Sequence, residues 1–452
     1  MTSTPDTAPR RRAFVRPLAV VCTAAVAAGA LSACGTPGAA PSKAAPTTGA
    51  VSTAIPTEKV TLSILTSDES PTTKALTDAF TKKHPNVTID YRFTAYDSYN
   101  TSLGLALNSE NAPDLALLNL LGNTAKAGQI RALDPYVDAY GWDKDVPKSQ
   151  LDQWRSNGKG NQLGTGKLWA APAGFSLVGV YYNKQIASKL GISGPPNSLA
   201  EFEGQLAKAK AAGQLPIQVS NLDGHSSFIF QALVNQYQKP MYSTAWAFGL
   251  PAATVENEAG KQAADKLADW AKKGYFPEGA NGIDNAGAVA AFTKGQGLFM
   301  FDGNWDAGAV DKAMPQGTGF FTLPSTVPDG PAAGVGTSLA YAISTKAKNP
   351  DLAAAFLDFL GSPEAGQIQL DNGFMPVSQD PSIKAEKGSV REGFVTAWKK
   401  VGESNGLTPY FNNATPTMND VLTSQGQQLI AGKIGPDAYL KAVQAEWNKG
   451  QQ

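Results

Sequence analysis

At 452 residues, with 42% hydrophobic and only 17% charged side chains, the chain is long enough for two or three domains with ordinary cores. Its 38 basic and 38 acidic residues cancel, and beyond residues 1–33 the balance is 34 to 37, which excludes the basic face that a nucleic-acid binder presents. Two cysteines, Cys22 and Cys34, and two histidines, His84 and His225, exclude a disulfide framework or a Cys- or multi-His metal centre in the body, so neither metal nor cofactor is expected.

Arg10, Arg11, Arg12 and Arg16 precede an apolar stretch from Leu18 to Leu31. At about 14 residues it falls short of the roughly 20 needed to span a membrane, and it has the length of a signal-peptide core. "LSAC" (Leu31 to Cys34) follows. It resembles the lipobox of bacterial lipoproteins, which implies a diacylglyceryl group on the Cys34 thiol and cleavage just before it. "RRAFVR" (Arg11 to Arg16) also resembles a twin-arginine export signal, with Arg10 where Ser or Thr is usual. Export by the Sec or the Tat route therefore stays open. "GTPGAAPSKAAPTTGAVSTAIPT" (Gly35 to Thr57) has little to bury and reads as a flexible tether. The expected division is residues 1–33 as signal peptide and 34–57 as lipidated Cys and tether, which holds a body on the outer face of the cell membrane.

In the body, "VTLSILT" (Val60 to Thr66) reads as a strand and "NVTIDYRF" (Asn86 to Phe93) alternates with period two. Between them Leu76, Ala79 and Phe80 share one helical face. "YDSYNTSLGLALNS" reads as a further helix, before the buried strand "DLALL" (Asp114 to Leu118). Ser198 with Glu201 forms a capping box ahead of Leu199, Phe202 and Leu206, and Gly213 closes that helix. Leu298 to Phe301 reads as a buried strand that breaks into Asp302, Gly303, Asn304, Trp305 and Asp306. Asn349–Pro350 opens a helix with Leu352, Phe356, Phe359 and Leu360 inward, and Ser362–Pro363–Glu364 opens the next. Strands alternating with helices predict an α/β fold of βαβ units with mostly parallel sheets.

Catalytic patterns are weak. "GFSLVG" (Gly174 to Gly179) lacks the second glycine of a nucleophile elbow and has no evident Asp–His pair. Neither HExxH nor a Walker A motif occurs, and "GKGNQLG" and "GVGTSLA" are isolated glycine-rich stretches. Asp302 and Asp306 have the residue types of a glycosidase carboxylate pair, but spacing alone does not set their separation.

Five segments taken in order carry a resemblance: "FTKKHPNVTIDY" with "YDSYNTSL"; "APDLALLNLLGNTAKAGQIRALDPYV"; "GKLWAAPAGFSLVGVYYNKQIASKLGI"; "FTKGQGLFMFDGNWDAG"; and "GTSLAYAISTKAKNPDLAAAFLDFLGSPEAGQ" running into "NGFMPVS". Together they resemble family 1 extracellular solute-binding proteins of carbohydrate ABC importers, the family that includes the maltose-binding type, over essentially residues 58–450. "PPNSLAEFEGQLAKAKAAG" resembles the family's Pro-x-Thr/Ser-x-x-Glu-Phe helix, with Leu199 where Trp is usual. The resemblance implies a type II periplasmic-binding-protein-like fold of two α/β lobes joined by a multi-strand hinge. The lobes expected are 58–170 plus 327–370 and 171–326 plus 371–452. They would close on the ligand, and the closed pair would be recognised by the permease subunits.

A pyranose offers C–H faces to aromatic rings and hydroxyl edges to carboxylates and amides. Trp305 matches the family's Gly-x-Trp segment, which implies a stacking platform; capping of the interlobe core is the other role open to it. Asp302 beside it is a candidate hydroxyl acceptor. Ser67 and Asp68 after the first strand, and Asn119 after the strand ending at Leu118, are further candidates, each also readable as a turn residue. Phe175 and Ser176 match a cleft-facing stretch where the maltose-binding type has a carboxylate, and Ser176 departs from it. Asn221, His225 and Ser226 match a cleft loop of the other lobe. Tyr96, Asp97, Ser338 and Phe374 complete the set. The expectation is a monomeric, non-catalytic, lipid-anchored receptor for a mono- or oligosaccharide. A receptor of the same fold for a glycerophosphodiester, or a surface glycosidase or lyase, are the alternatives.

Overall fold

The computed structural model describes residues 51–67, 71–94, 96–118, 121, 124–157, 163–326, 328, 330–415 and 417–450, with the side chains of 71, 96, 97 and 100 set aside. In chain order the strands are β1 (Val60–Thr66), β2 (Val87–Phe93), β3 (Leu115–Leu118), β4 (Arg155–Ser156), β5 (Lys167–Leu168), β6 (Ala171–Phe175) and β7 (Val178–Asn183). They continue with β8 (Ile217–Gln218), β9 (Phe299–Gly303), β10 (Thr318–Phe321), β11 (Gly334–Val335), β12 (Ser338–Ile343) and β13 (Leu407–Thr408).

Two sheets organise the body. The first has the order β2-β1-β3-β12-β6, and the second β13-β11-β7-β9-β8 with β10 also paired to β7. Both are mixed. β1 runs parallel to β2 and to β3, as βαβ connections require, but β12 is antiparallel to β3 and to β6. In the second sheet β8 and β9 are parallel, whereas β7 is antiparallel to β9, β10 and β11. The mostly parallel sheets expected thus give way where the chain passes from one sheet to the other, because a strand continuing straight across enters its new sheet against the local direction.

Those passages are short. β6 ends in the first sheet at Phe175 and β7 begins in the second at Val178, while β11 and β12 make the return passage through Gly336 and Thr337. The changeovers therefore lie at 176–177 and 336–337, later than the expected 170/171 and 326/327. A third stretch joins them: Phe175 and Met375 exchange backbone hydrogen bonds of 2.8 and 2.7 Å.

Each sheet has its own core. Leu62, Ile64, Leu115–Leu118, Ala340–Ile343 and Phe356 pack together around the first sheet. Phe202, Phe230, Trp246, Trp270 and Phe299 do so around the second. A further cluster of Phe175, Leu177, Tyr181, Phe394 and Trp398 lies against the crossing strands. Ser198 accepts the Glu201 amide at 3.2 Å and the Glu201 carboxylate accepts the Asn197 amide at 2.8 Å, so the capping box closes one residue further out than its usual form.

Residues 51–57, placed in the tether by composition, lie along the first half of the body. Val51 and Ile55 pack on its core, the Ser52 amide donates to Asp351, and Asn86 donates to the Pro56 carbonyl at 2.6 Å. Two apolar side chains in a Pro/Ala/Thr background suffice to dock this stretch. Cys34 and the export segment lie outside the described residues. No helix among the described residues is long and apolar enough to cross a membrane.

Candidate functional site

β8 and β9 are parallel neighbours, so their carboxyl ends open on the same side. Ligands of open α/β sheets bind at such strand ends. From β8 the chain runs through buried Ser220 and Asn221, turns at Gly224 (φ 77°) and reaches His225, which heads the helix Ser226–Tyr237. From β9 it passes through Gly303 and Asn304 to Trp305 and Asp306. The two strand ends thus bring His225 and Trp305 together, with ring centres 6.3 Å apart at 72°.

Phe228, one turn into the helix, stands 5.1 Å from His225 and 6.1 Å from Trp305, and Tyr410 stands 5.4 Å from Phe228. Four rings therefore form one wall. Trp305 is its exposed member at 43%, an unusual state for the largest apolar side chain. Its ring lies over Gly303, where a Cβ would come within 2.1 Å of it.

Polar groups converge beside the wall. Ser220 Oγ and His225 Nδ1 share a hydrogen bond of 2.6 Å. Asn285 donates from Nδ2 to Asp306 at 2.6 Å and from its backbone to Asp223 at 2.7 Å. Asp302 accepts the Gly303 amide at 2.8 Å and lies 3.8 Å from His225 Nδ1. Burial pushes the Asp302 carboxyl well above the usual carboxylate range, with nearby Asp306 adding to the rise and the Gly303 amide and Trp305 opposing it. Burial likewise lowers His225 to about 4, against the pull of Asp223 and Asp306, so the imidazole is neutral near pH 7. Among the described residues no Lys or Arg forms an ion pair with Asp223, Asp302 or Asp306.

Of the residues singled out in the sequence, Trp305 and His225 meet in this wall. Asp302, at 1% exposure, lies beneath it instead of on its surface. Asn221 is buried and spends its amide on the loop, accepting the Ser226 amide at 3.1 Å and donating to Asn281 at 2.6 Å. Ser226 is buried against Gly426. Phe175 is fully buried against Trp398, ring centres 5.0 Å apart, because β6 is covered on both faces. Ser176 lies in the first passage, where it donates to the Thr337 carbonyl at 2.8 Å and accepts from the Tyr410 hydroxyl at 2.6 Å. Ser338 is buried and accepts the Trp154 indole N–H at 2.5 Å. Phe374 is half-buried beside Gly174. Ser67 is buried at the carboxyl end of β1 in the other sheet. Asp68 and Asn119 lie outside the described residues, as do the side chains of Tyr96 and Asp97, whose backbone opens the helix Tyr96–Asn108. Phe228, Tyr410, Ser220 and Asn285 were not singled out. A cavity of about 320 Å³ lined by Tyr182, Pro196, Phe321 and Glu392 includes none of the wall residues.

Two sheets are joined by crossing strands, and a wall of rings stands at the strand ends of the second. The family model "Bacterial extracellular solute-binding protein" matches residues 65–367, and the chain belongs to that family. Its members bind solutes and are not enzymes, so the glycosidase alternative falls away. A "Probable sugar-binding periplasmic protein" of Mesorhizobium japonicum is 27% identical over 51% of this chain and 54% of its own length; the match thus spans about half of that relative. A "Maltooligosaccharide ABC transporter solute-binding lipoprotein" of Streptococcus pneumoniae serotype 4 is 25% identical over 64% of this chain and 70% of its own. Among solved structures, a family 1 extracellular solute-binding protein from Bifidobacterium longum subsp. infantis superposes with a TM-score of 0.68 at 18% identity, covering 87% of this chain and 100% of that one.

Proposed function

We propose that this protein is a lipid-anchored receptor that binds a mono- or oligosaccharide against the Trp305 wall and delivers it to the membrane subunits of an ABC importer. The observation that carries the proposal is the exposed indole of Trp305, backed by His225 and Phe228 and flanked by Asp306 and Asn285. A sugar ring laid on the indole buries its C–H face, and its hydroxyls meet acceptors at the edge. Burying a hydroxyl without a partner costs roughly 1–3 kcal/mol, so the flanking carboxylate and amide matter as much as the ring. Micromolar affinity corresponds to about −8 kcal/mol, within reach of one stacked ring and several paired hydroxyls.

The two sheets with their helices act as lobes that close across the strand passages, and the solute favours the closed form by touching both. Cys34 carries the lipid, and the segment before residue 51 tethers the body to the outer face of the membrane. The proposed sugar class agrees with the names of the Mesorhizobium and Streptococcus relatives. A glycerophosphodiester suits the wall less well, because a phosphate would face carboxylates there. A thermal-shift screen over mono- and oligosaccharides and glycerophosphodiesters tests the proposal. A carbohydrate at a hundred times its Kd adds roughly 2.7 kcal/mol of stability. Stabilisation by a phosphodiester and by no carbohydrate overturns it.

A further inference from the structure

The geometry points to Asn304 as the positioning residue that makes the Trp305 wall and the strands crossing between the sheets move as one body. Its side chain is buried, and each polar atom is spent on a crossing segment. Oδ1 accepts the Leu177 amide at 2.7 Å. Nδ2 donates to the Phe175 carbonyl at 3.1 Å and to the Gly373 carbonyl. The Asn304 backbone amide donates to the Leu177 carbonyl at 3.1 Å. Phe175 ends β6 and Leu177 lies in the first passage to β7, and residue 373 opens the stretch that pairs with Phe175. One planar amide thus fixes two crossing segments, and the next residue is Trp305.

The chemistry calls for this side chain. An aspartate of the same shape would set a carboxylate against two carbonyl oxygens, and alanine would leave both carbonyls and the Leu177 amide without these partners. A rotation of one sheet against the other passes through residues 175–177, so it is transmitted through Asn304 to the indole, and a solute pressing on the indole biases that rotation. The significance for solute capture rests on the receptor function proposed above. The mechanical link can be measured without any solute, so the two fail separately.

The test uses the full chain with Cys22 and Cys34 replaced by serine. Nitroxides are placed at Leu105→Cys, on the helix Tyr96–Asn108, and Met241→Cys, on the helix Pro240–Ala247; both positions are well exposed. Asn304→Ala is expected to widen the pulsed-EPR distance distribution of the solute-free protein by about twofold, as loss of a hinge constraint should. The ¹⁹F resonance of 5-fluorotryptophan at Trp305, assigned by its absence in Trp305→Phe, should broaden with it. A lowered unfolding temperature with an unchanged distance distribution makes Asn304 a merely structural residue and overturns the inference, as does a widened distribution with an unmoved Trp305 resonance. Should Asn304→Ala fail to fold, hydrogen exchange in the unsubstituted protein decides. The Leu177 amide should exchange at least about a hundredfold more slowly than an unstructured amide, and unprotected exchange there overturns the clamp.

Discussion

The indole of Trp305 lies directly over Gly303, so close that any side chain on Gly303 would occupy the ring's place. The backbone there is extended (φ −98°, ψ 174°) and accepts alanine without strain, so the missing Cβ serves the ring and not the chain. Gly303→Ala is expected to lift the indole from its seat while costing no more than about 0.5 kcal/mol of stability, because the displaced ring is exposed and free to move. Carbohydrate affinity should fall with it, as read by urea unfolding and by calorimetric titration on the same samples.

The buried groups His225 and Asp302 titrate in opposite senses. For His225 the folded value is lowered to about 4 from 6.5, so the unfolded chain binds more protons between those values. Its contribution to stability is complete above pH 6.5 and is lost as pH falls towards 4. Relative to His225→Gln, the unsubstituted protein should gain on the order of 3 kcal/mol across that window.

Asp302 works the other way. Its folded value is raised, so the folded chain holds the proton more tightly and the contribution is complete below the ordinary value of 3.8. It is lost as pH rises through the folded value. Asp302→Asn should therefore become progressively more stable than the unsubstituted protein as pH rises above the ordinary carboxyl value of 3.8, measured as urea midpoints at each pH.

Tyr410 joins the wall to the passages: its ring packs on Phe228 and its hydroxyl donates to Ser176, which in turn donates to the Thr337 carbonyl. Tyr410→Phe keeps the ring and removes the donor. A loss of about 1 kcal/mol is expected, read as a lowered urea midpoint.

Much of this architecture is legible in the sequence, because its signals are local. The alternation of "VTLSILT" and "NVTIDYRF", the Ser198–Glu201 cap and the Asn349–Pro350 helix start each report on a few adjacent residues. The site is legible only in part. Trp305 announces itself as a large aromatic in a polar turn, and His225 as a histidine in a loop. Tyr410 reaches Phe228 from 182 positions along the chain, and that meeting exists only in the folded molecule. Asn304 carries no local mark, since a turn amide facing solvent and one clamping two strands look alike in sequence. Phe175 misleads for the opposite reason. It matches a cleft-facing stretch, but Ala171–Phe175 is a run of five buried residues, the mark of a strand covered on both faces.

Trp305→Ala, titrated calorimetrically beside the unsubstituted protein with whichever carbohydrate of the screening panel binds, tests the central claim most directly. The exposed ring has little core to lose, so the unfolding temperature without sugar should stay within about 2 °C, while affinity falls at least about thirtyfold, roughly 2 kcal/mol. Retained affinity with a large drop in unfolding temperature would instead make Trp305 a core residue and contradict the stacking platform.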